Sequence, residues 1–142
     1  MRDEAEIALD AQAAARCALA MRVGLAAFNA KWAPKGIPPI GIRIGLYTGE
    51  LISGSLGSSE RMEYTVIGDT VNTASRLESF KLAPGEAPPE ALAEEKDGAC
   101  RIIAGDTTVR LLGERFEATP VGEVRLKGKE QPVAIYSLVR EY

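Results

Sequence analysis

Asn72 and Arg76 are the two residues whose types and spacing best suit chemistry on a ligand. They lie in the stretch Glu63 to Phe80, which reads EYTVIGDTVNTASRLESF. At helical pitch, residues four apart share a face, so an amide and a guanidinium project together. Tyr64 to Ile67 is a short run rich in β-branched residues and predicts a buried strand. Gly68 breaks it, and Asp69 or Thr70 is placed to cap the helix that follows. Val71, Ala74 and Ser75 fall on another side of that helix and are small enough to lie against a sheet. A helix N-terminus attracts anions, and Arg offers a planar fork of donors. The arrangement therefore suits a polyanionic ligand. The same spacing also describes an ordinary solvated helix face, and pitch alone does not separate the two.

The elements that must position this stretch can be read from the rest of the chain. Asp3 to Trp32 predicts one long helix with acidic residues at its start, which complements the helix dipole. Ile7, Ala11, Ala14, Ala18, Met21, Leu25 and Phe28 recur along one side as its packing stripe. Pro34, Gly36, Pro38 and Pro39 end it. Ile40 to Tyr47 alternates, with Ile40, Ile42, Ile44 and Leu46 on a greasy face and Gly41, Arg43, Gly45 and Tyr47 opposite. Leu51 to Leu56 is expected to pair antiparallel with it through a turn at Gly49. Lys81 to Ala99 lacks periodicity and reads as a long surface loop or a frayed short helix. Cys100 to Ala104 predicts a strand, and Asp106 is expected to cap a short helix that runs through Leu112 and is closed by Gly113. Phe116 to Leu126 and Pro132 to Val139 predict a hairpin around the basic turn Lys127–Gln131.

Composition narrows the classes. The chain has 142 residues and a net charge of −3, with two cysteines and no histidine. That length allows one domain with a sizeable core. The charge gives no general pull towards nucleic acid or anionic membrane, so any phosphate site must be local. No apolar run is long enough to span a bilayer and no signal-peptide pattern is present, so a cytoplasmic protein without membrane insertion is expected. Cys17 and Cys100 lack CxxC spacing and read as reduced structural thiols. The absence of histidine excludes Ser-His and Cys-His catalysis and histidine-ligated metal sites within the chain.

From Ile42 to Glu78 the chain closely resembles the class III nucleotidyl cyclase catalytic domain, the adenylate and guanylate cyclase family. The resemblance rests on GIRIGLYTGELISGSLGSSERM and above all on VIGDTVNTASRLE. It implies an α+β, ferredoxin-like cyclase fold, an antiparallel-rich sheet with flanking helices, here without its leading strands. Residues 1–142 would then be the later part of the catalytic domain. The implied reaction converts ATP to 3′,5′-cyclic AMP and pyrophosphate at a homodimer interface. By the same resemblance, Arg76 matches the arginine that stabilises charge on the α-phosphoryl group, and Asn72 the residue that orients the ribose. Thr65 falls at the purine-selecting position, where many adenylate cyclases carry a carboxylate. Lys127 matches the lysine that holds the triphosphate, with Lys129 the alternative register, and Arg43 matches an arginine on the phosphates. The family's two aspartates, which bind two Mg²⁺ or Mn²⁺ ions, have no counterpart here, nor has the lysine that would pair with Thr65. The isolated chain is accordingly expected to be inactive. Guanylate cyclase activity, or a non-catalytic regulatory or dimerisation module, are the alternatives.

Overall fold

A computed structural model describes residues 3–58, 61–81, 99–125 and 131–142. The first helix, α1 (Glu4–Trp32), begins where expected because Asp3 and Glu6 form a reciprocal capping box. The Asp3 carboxylate accepts from the Glu6 N–H at 2.8 Å, and Glu6 accepts from the Asp3 N–H at 3.1 Å. Two N-terminal donors that lack helical partners are thereby satisfied. Its buried stripe is Ala11, Ala15, Ala18 and Leu25. This differs from the expected stripe: Ala14 is exposed, as are Met21 and Phe28. The side that packs combines three alanines, which let the helix lie close to the sheet, with Leu25 and with Arg22, whose guanidinium reaches the sheet's carbonyls.

Strand β1 (Ile42–Leu46) runs parallel to β4 (Cys100–Gly105), with Arg43 opposite Arg101 and Gly45 opposite Ile103. Strand β6 (Val133–Glu141) pairs antiparallel with both β4 and β5 (Phe116–Val124), giving the sheet order β1-β4-β6-β5. Helix α3 (Asp106–Leu112) follows β4 directly; Gly105 holds the cap position with no side-chain cap, so Asp106 is the first helical residue rather than the expected cap, its charge complementing the dipole. The helix ends at Gly113, whose φ of 68° suits glycine. The remaining strands, β2 (Ile52–Ser58) and β3 (Arg61–Ile67), form a separate two-stranded antiparallel hairpin.

The hairpin corrects the expected partnership of residues 51–56 with β1, and it moves Tyr64–Ile67 out of the main sheet. The chain leaving β1 does not fold back along it. Instead the Thr70 hydroxyl donates to the Glu50 carbonyl, and a Cβ on Gly49 would lie 2.5 Å from the Thr70 hydroxyl oxygen. Residues 49–50 are thus tied to the start of helix α2 (Asp69–Glu78), and β2 takes its nearest neighbour in sequence, β3.

The sheet is covered on both faces. On one, Ile42, Ile44 and Leu46 pack with Ile102, Leu138 and Phe116 against α1 and α3. On the other, Leu77 of α2 packs with Ile103, Ile135, Val133, Val121, Val124, Tyr47 and Phe80. Gly45 and Tyr47 therefore face a second core rather than open solvent, whereas Arg43, on the same side of β1, remains exposed. Leu77, Ile103 and Ile135 are completely buried, each contributing about 1.5–3 kcal/mol through removal of apolar surface from water. Arg22 fastens α1 to the sheet, donating to the carbonyls of Val139 and Leu138, each at 2.9 Å, and of Cys100 at 3.3 Å. Among the described residues, no helix is long and apolar enough to cross a membrane.

Candidate functional site

Helix α2 positions Asn72 and Arg76. It starts immediately after β3 and Gly68, whose φ of 138° is open to glycine but strained for other residues. Gly68 itself occupies the cap position, and no side chain caps the helix. Asp69 and Thr70 are therefore not caps. Asp69 lies in the first turn, where its charge complements the dipole, and the Thr70 hydroxyl is committed to Glu50. The Gly68 carbonyl accepts from the N–H groups of Val71 and Asn72, both at 3.2 Å.

Thr73 and Leu77 are the residues that α2 buries. The Thr73 hydroxyl is satisfied inside the helix, donating to the Asp69 carbonyl at 2.8 Å. Ser75 is exposed, and Val71 and Ala74 only half-buried, so the buried face is offset by a residue or two from the one expected. Asn72 and Arg76 are both exposed, one turn apart, away from Thr73 and Leu77. An amide and a guanidinium thus stand together on a helix whose opposite face is held by the sheet.

The seating of α2 depends on Gly45. A Cβ there would collide with the Ala74 carbonyl oxygen and come within 2.6 Å of the Glu78 amide nitrogen. The helix backbone therefore lies directly on β1. Gly105 plays a related part on β4, where a Cβ would meet the Tyr47 ring at 2.5 Å. At its C-terminal end, α2 is held by arginines. Arg101 donates to the Glu78 carbonyl at 2.7 Å, and Arg43 Nε lies 2.9 Å from Glu78 Oε1.

The other expected site residues fall as follows. Arg43 lies on β1 below the last turn of α2, engaged with Glu78. Thr65 lies on β3 opposite Gly54, two residues before the strand ends. Lys127 and its alternative Lys129 lie outside the described residues, as do residues 82–98, where a surface loop is expected. Sequence reasoning missed Glu78 and Arg101. Glu78 closes the RLE motif, but only the pairing of β1 with β4 places Arg101 beside Arg43.

Two divalent ions would need several converging carboxylates. Among the described residues no group of three acidic, cysteine or histidine side chains converges. Glu78 is engaged by Arg43. The described residues do not fit such ions, and no catalytic step is derived through them.

Comparison with known proteins identifies the class. A family model for the adenylate and guanylate cyclase catalytic domain matches residues 5–84, and the chain belongs to that family. Adenylate cyclase 1 of Rhizobium meliloti is 35% identical over 129 residues, covering 91% of this chain and 17% of that protein. The crystal structure of the adenylyl cyclase CyaB from P. aeruginosa superposes with a TM-score of 0.74 at 33% identity, covering 94% of this chain and 60% of that one. The guanylyl cyclase Cya2 superposes with a TM-score of 0.73 at 28% identity, covering 94% and 59%. The chain thus spans a small part of its curated relatives and somewhat over half of the solved chains.

Proposed function

We propose that the chain is the later part of an adenylate cyclase catalytic domain and supplies one side of a site shared between two subunits. The observation that carries this reading is the exposure of Asn72 and Arg76 one turn apart on α2, with the opposite face of that helix anchored in the sheet. The reaction is attack of the ribose 3′-hydroxyl on the α-phosphorus of ATP, in line with departing pyrophosphate. Such a displacement needs alignment and charge stabilisation more than covalent groups. Arg76, always charged and planar, stabilises the α-phosphoryl oxygens as charge builds on them. Asn72 donates and accepts hydrogen bonds, which suits it to fixing the ribose. Thr65 reads the purine, while Lys127 and Arg43 hold the phosphates. The 35% identity to an adenylate cyclase supports ATP as substrate, and the likeness to Cya2 keeps GTP as the second reading.

Subunit complementation tests the proposal. A longer cyclase polypeptide that contains this domain and the metal-binding carboxylates is made in two forms. One carries Arg76→Ala; the other has those carboxylates replaced. Loss of a transition-state arginine can cost on the order of 10³-fold, so each form alone is nearly inactive. Mixed, they restore one working site per heterodimer. Co-assembly without recovery of cyclic AMP formation would leave Asn72 and Arg76 as a polar helix face. GTP turnover equal to ATP turnover at matched concentrations refutes the assignment of ATP. The 142-residue chain alone, given ATP and Mn²⁺, is expected to yield no cyclic AMP.

A further inference from the structure

We propose that the turn after α1 is a membrane-facing tip: Phe28, Trp32, Ile37 and Ile40, flanked by Lys31 and Lys35, seat the protein on a bilayer surface rich in anionic phospholipid. The proposal goes beyond the cyclase reading and uses none of its residues. The contact is peripheral, made by the side chains of one turn, and requires no spanning segment.

The fold leaves these apolar side chains uncovered. Phe28, Ile37 and Ile40 are 44%, 43% and 48% exposed, and every residue from 33 to 40 is exposed. Phe28 and Trp32 stand one turn apart on α1, their ring centroids 6.1 Å apart. A single 3₁₀ turn, Ala33–Lys35, follows, and Gly36, with a φ of 76°, redirects the chain. The returning segment is tied back to the last turns of α1. The Asn29 side-chain amide donates to the Ile40 carbonyl, and its oxygen accepts from the Ile40 N–H, each at 2.9 Å. Pro38 and Pro39 fix φ between the two isoleucines. The patch is therefore preformed, and docking orders little that is not already ordered.

Charge selects the partner. Between Asp10 and Glu50 the chain carries five basic residues and no acidic one. Three of them have tasks within the fold: Arg16 pairs with Glu141, Arg22 binds sheet carbonyls, and Arg43 meets Glu78. The other two stand at this tip, Lys31 Nζ 5.4 Å and Lys35 Nζ 4.5 Å from the Trp32 ring centroid. Two ammonium groups over one ring concentrate positive charge beside an apolar patch, in a chain whose net charge is −3. Indole, apolar in its ring and polar at its N–H, favours the boundary between headgroups and acyl chains. Lysines beside it reach phosphates while their stems stay in apolar surroundings. Size favours a lipid surface over a protein. Three side chains less than half exposed offer roughly 200–300 Å², against about 800 Å² a side for a stable protein interface. Insertion into a bilayer needs no matching shape, because apolar surface leaves water whatever its outline.

Trp32 is the single tryptophan of the chain, so its emission reports on the site itself. The 142-residue chain is titrated at low ionic strength with vesicles of equal parts phosphatidylcholine and phosphatidylserine. Its emission should shift to the blue, and the chain should sediment with the vesicles. Pure phosphatidylcholine should produce neither effect, and added salt should weaken binding as it screens the lysines. One lysine near an anionic surface contributes about five-fold to binding, so Lys31→Gln with Lys35→Gln should weaken it roughly 30-fold. Ile37→Ser with Ile40→Ser should weaken it at least about ten-fold through lost apolar insertion. All four positions are exposed, and circular dichroism checks that each variant is folded. The emission of the unaltered chain tests the proposal without any variant. Equal binding to neutral vesicles overturns it, as does binding that survives either double substitution or sedimentation with Trp32 emission unmoved. So does a chain indifferent to anionic vesicles, including one that binds an acidic protein instead.

Discussion

Gly45→Ala is the most searching test of how the fold holds the site. The new methyl would point at α2, where its carbon would overlap the Ala74 carbonyl oxygen and lie 2.6 Å from the Glu78 amide nitrogen. Both opposing atoms are helix backbone, so no side-chain rotation relieves the clash. Restoring ordinary contact requires α2 to lift from β1 by about 1 Å, which opens the packing around Leu77, a residue with no exposure. Overpacking of this kind costs about 1–3 kcal/mol, and the rigid partner places Gly45 at the upper end. A chain of this length has an unfolding entropy of roughly 0.3 kcal/mol per degree, so 2–3 kcal/mol lowers Tm by about 7–10 °C. Thermal unfolding followed by circular dichroism measures it. Gly24→Ala is the matched control, because Gly24 lies within α1 and a Cβ there meets nothing within 4 Å. It should stabilise by about 0.5–1 kcal/mol, as alanine does in a helix interior. A Gly45→Ala Tm within about 2 °C of the parent would refute the close seating of α2. In an active cyclase polypeptide the same substitution should depress kcat, since a 1 Å displacement of positioning groups can cost on the order of 10²-fold.

Arg22→Met keeps the apolar stem but strips three carbonyl partners; a loss of about 2–3 kcal/mol is expected, and an unchanged denaturation midpoint would contradict the fastening role given to Arg22. Burial pushes the Cys100 thiol up from its ordinary value, with the nearby Arg22 opposing. Its contribution to stability is therefore full below the unfolded thiol value, about 8.5, and is lost as pH rises through the higher folded value. Iodoacetamide at pH 8 should label the exposed Cys17 and spare Cys100 until denaturant is added; equal labelling rates in the native chain would count against that burial. The hydrogen bond from Arg16 holds the Glu141 carboxyl below the usual carboxylate range. That stabilisation is present above the unfolded value of about 4.3 and is lost as pH falls through the lower folded one. Glu141→Gln should flatten the acid limb of the pH–stability curve, and identical acid limbs would refute it.

Local rules of the sequence determined most elements. The Asp3–Glu6 capping box set the start of α1, Gly113 the end of α3, and the alternation from Ile42 to Leu46 made a strand. The motif around Asn72 and Arg76 was equally legible, because residues four apart on a helix share a face whatever the helix packs against. Tertiary structure decided what pitch and alternation leave open. Which of two alanine-lined stripes α1 would bury depended on how closely the sheet lets a helix approach, so Ala15 went inside and Met21 out. The partner of residues 52–58 depended on where residues 49–50 were anchored, and that anchor is Thr70, twenty residues along the chain. Tyr47 and Gly45 looked like the polar side of a strand until α2 covered them, because alternation reports two faces but not how many are covered. The pairing of Arg43 with Glu78, and the placing of Arg101 beside it, required β1 and β4 to align in register. No local pattern encodes that register: 57 residues separate the two arginines, and only the packed sheet brings them together.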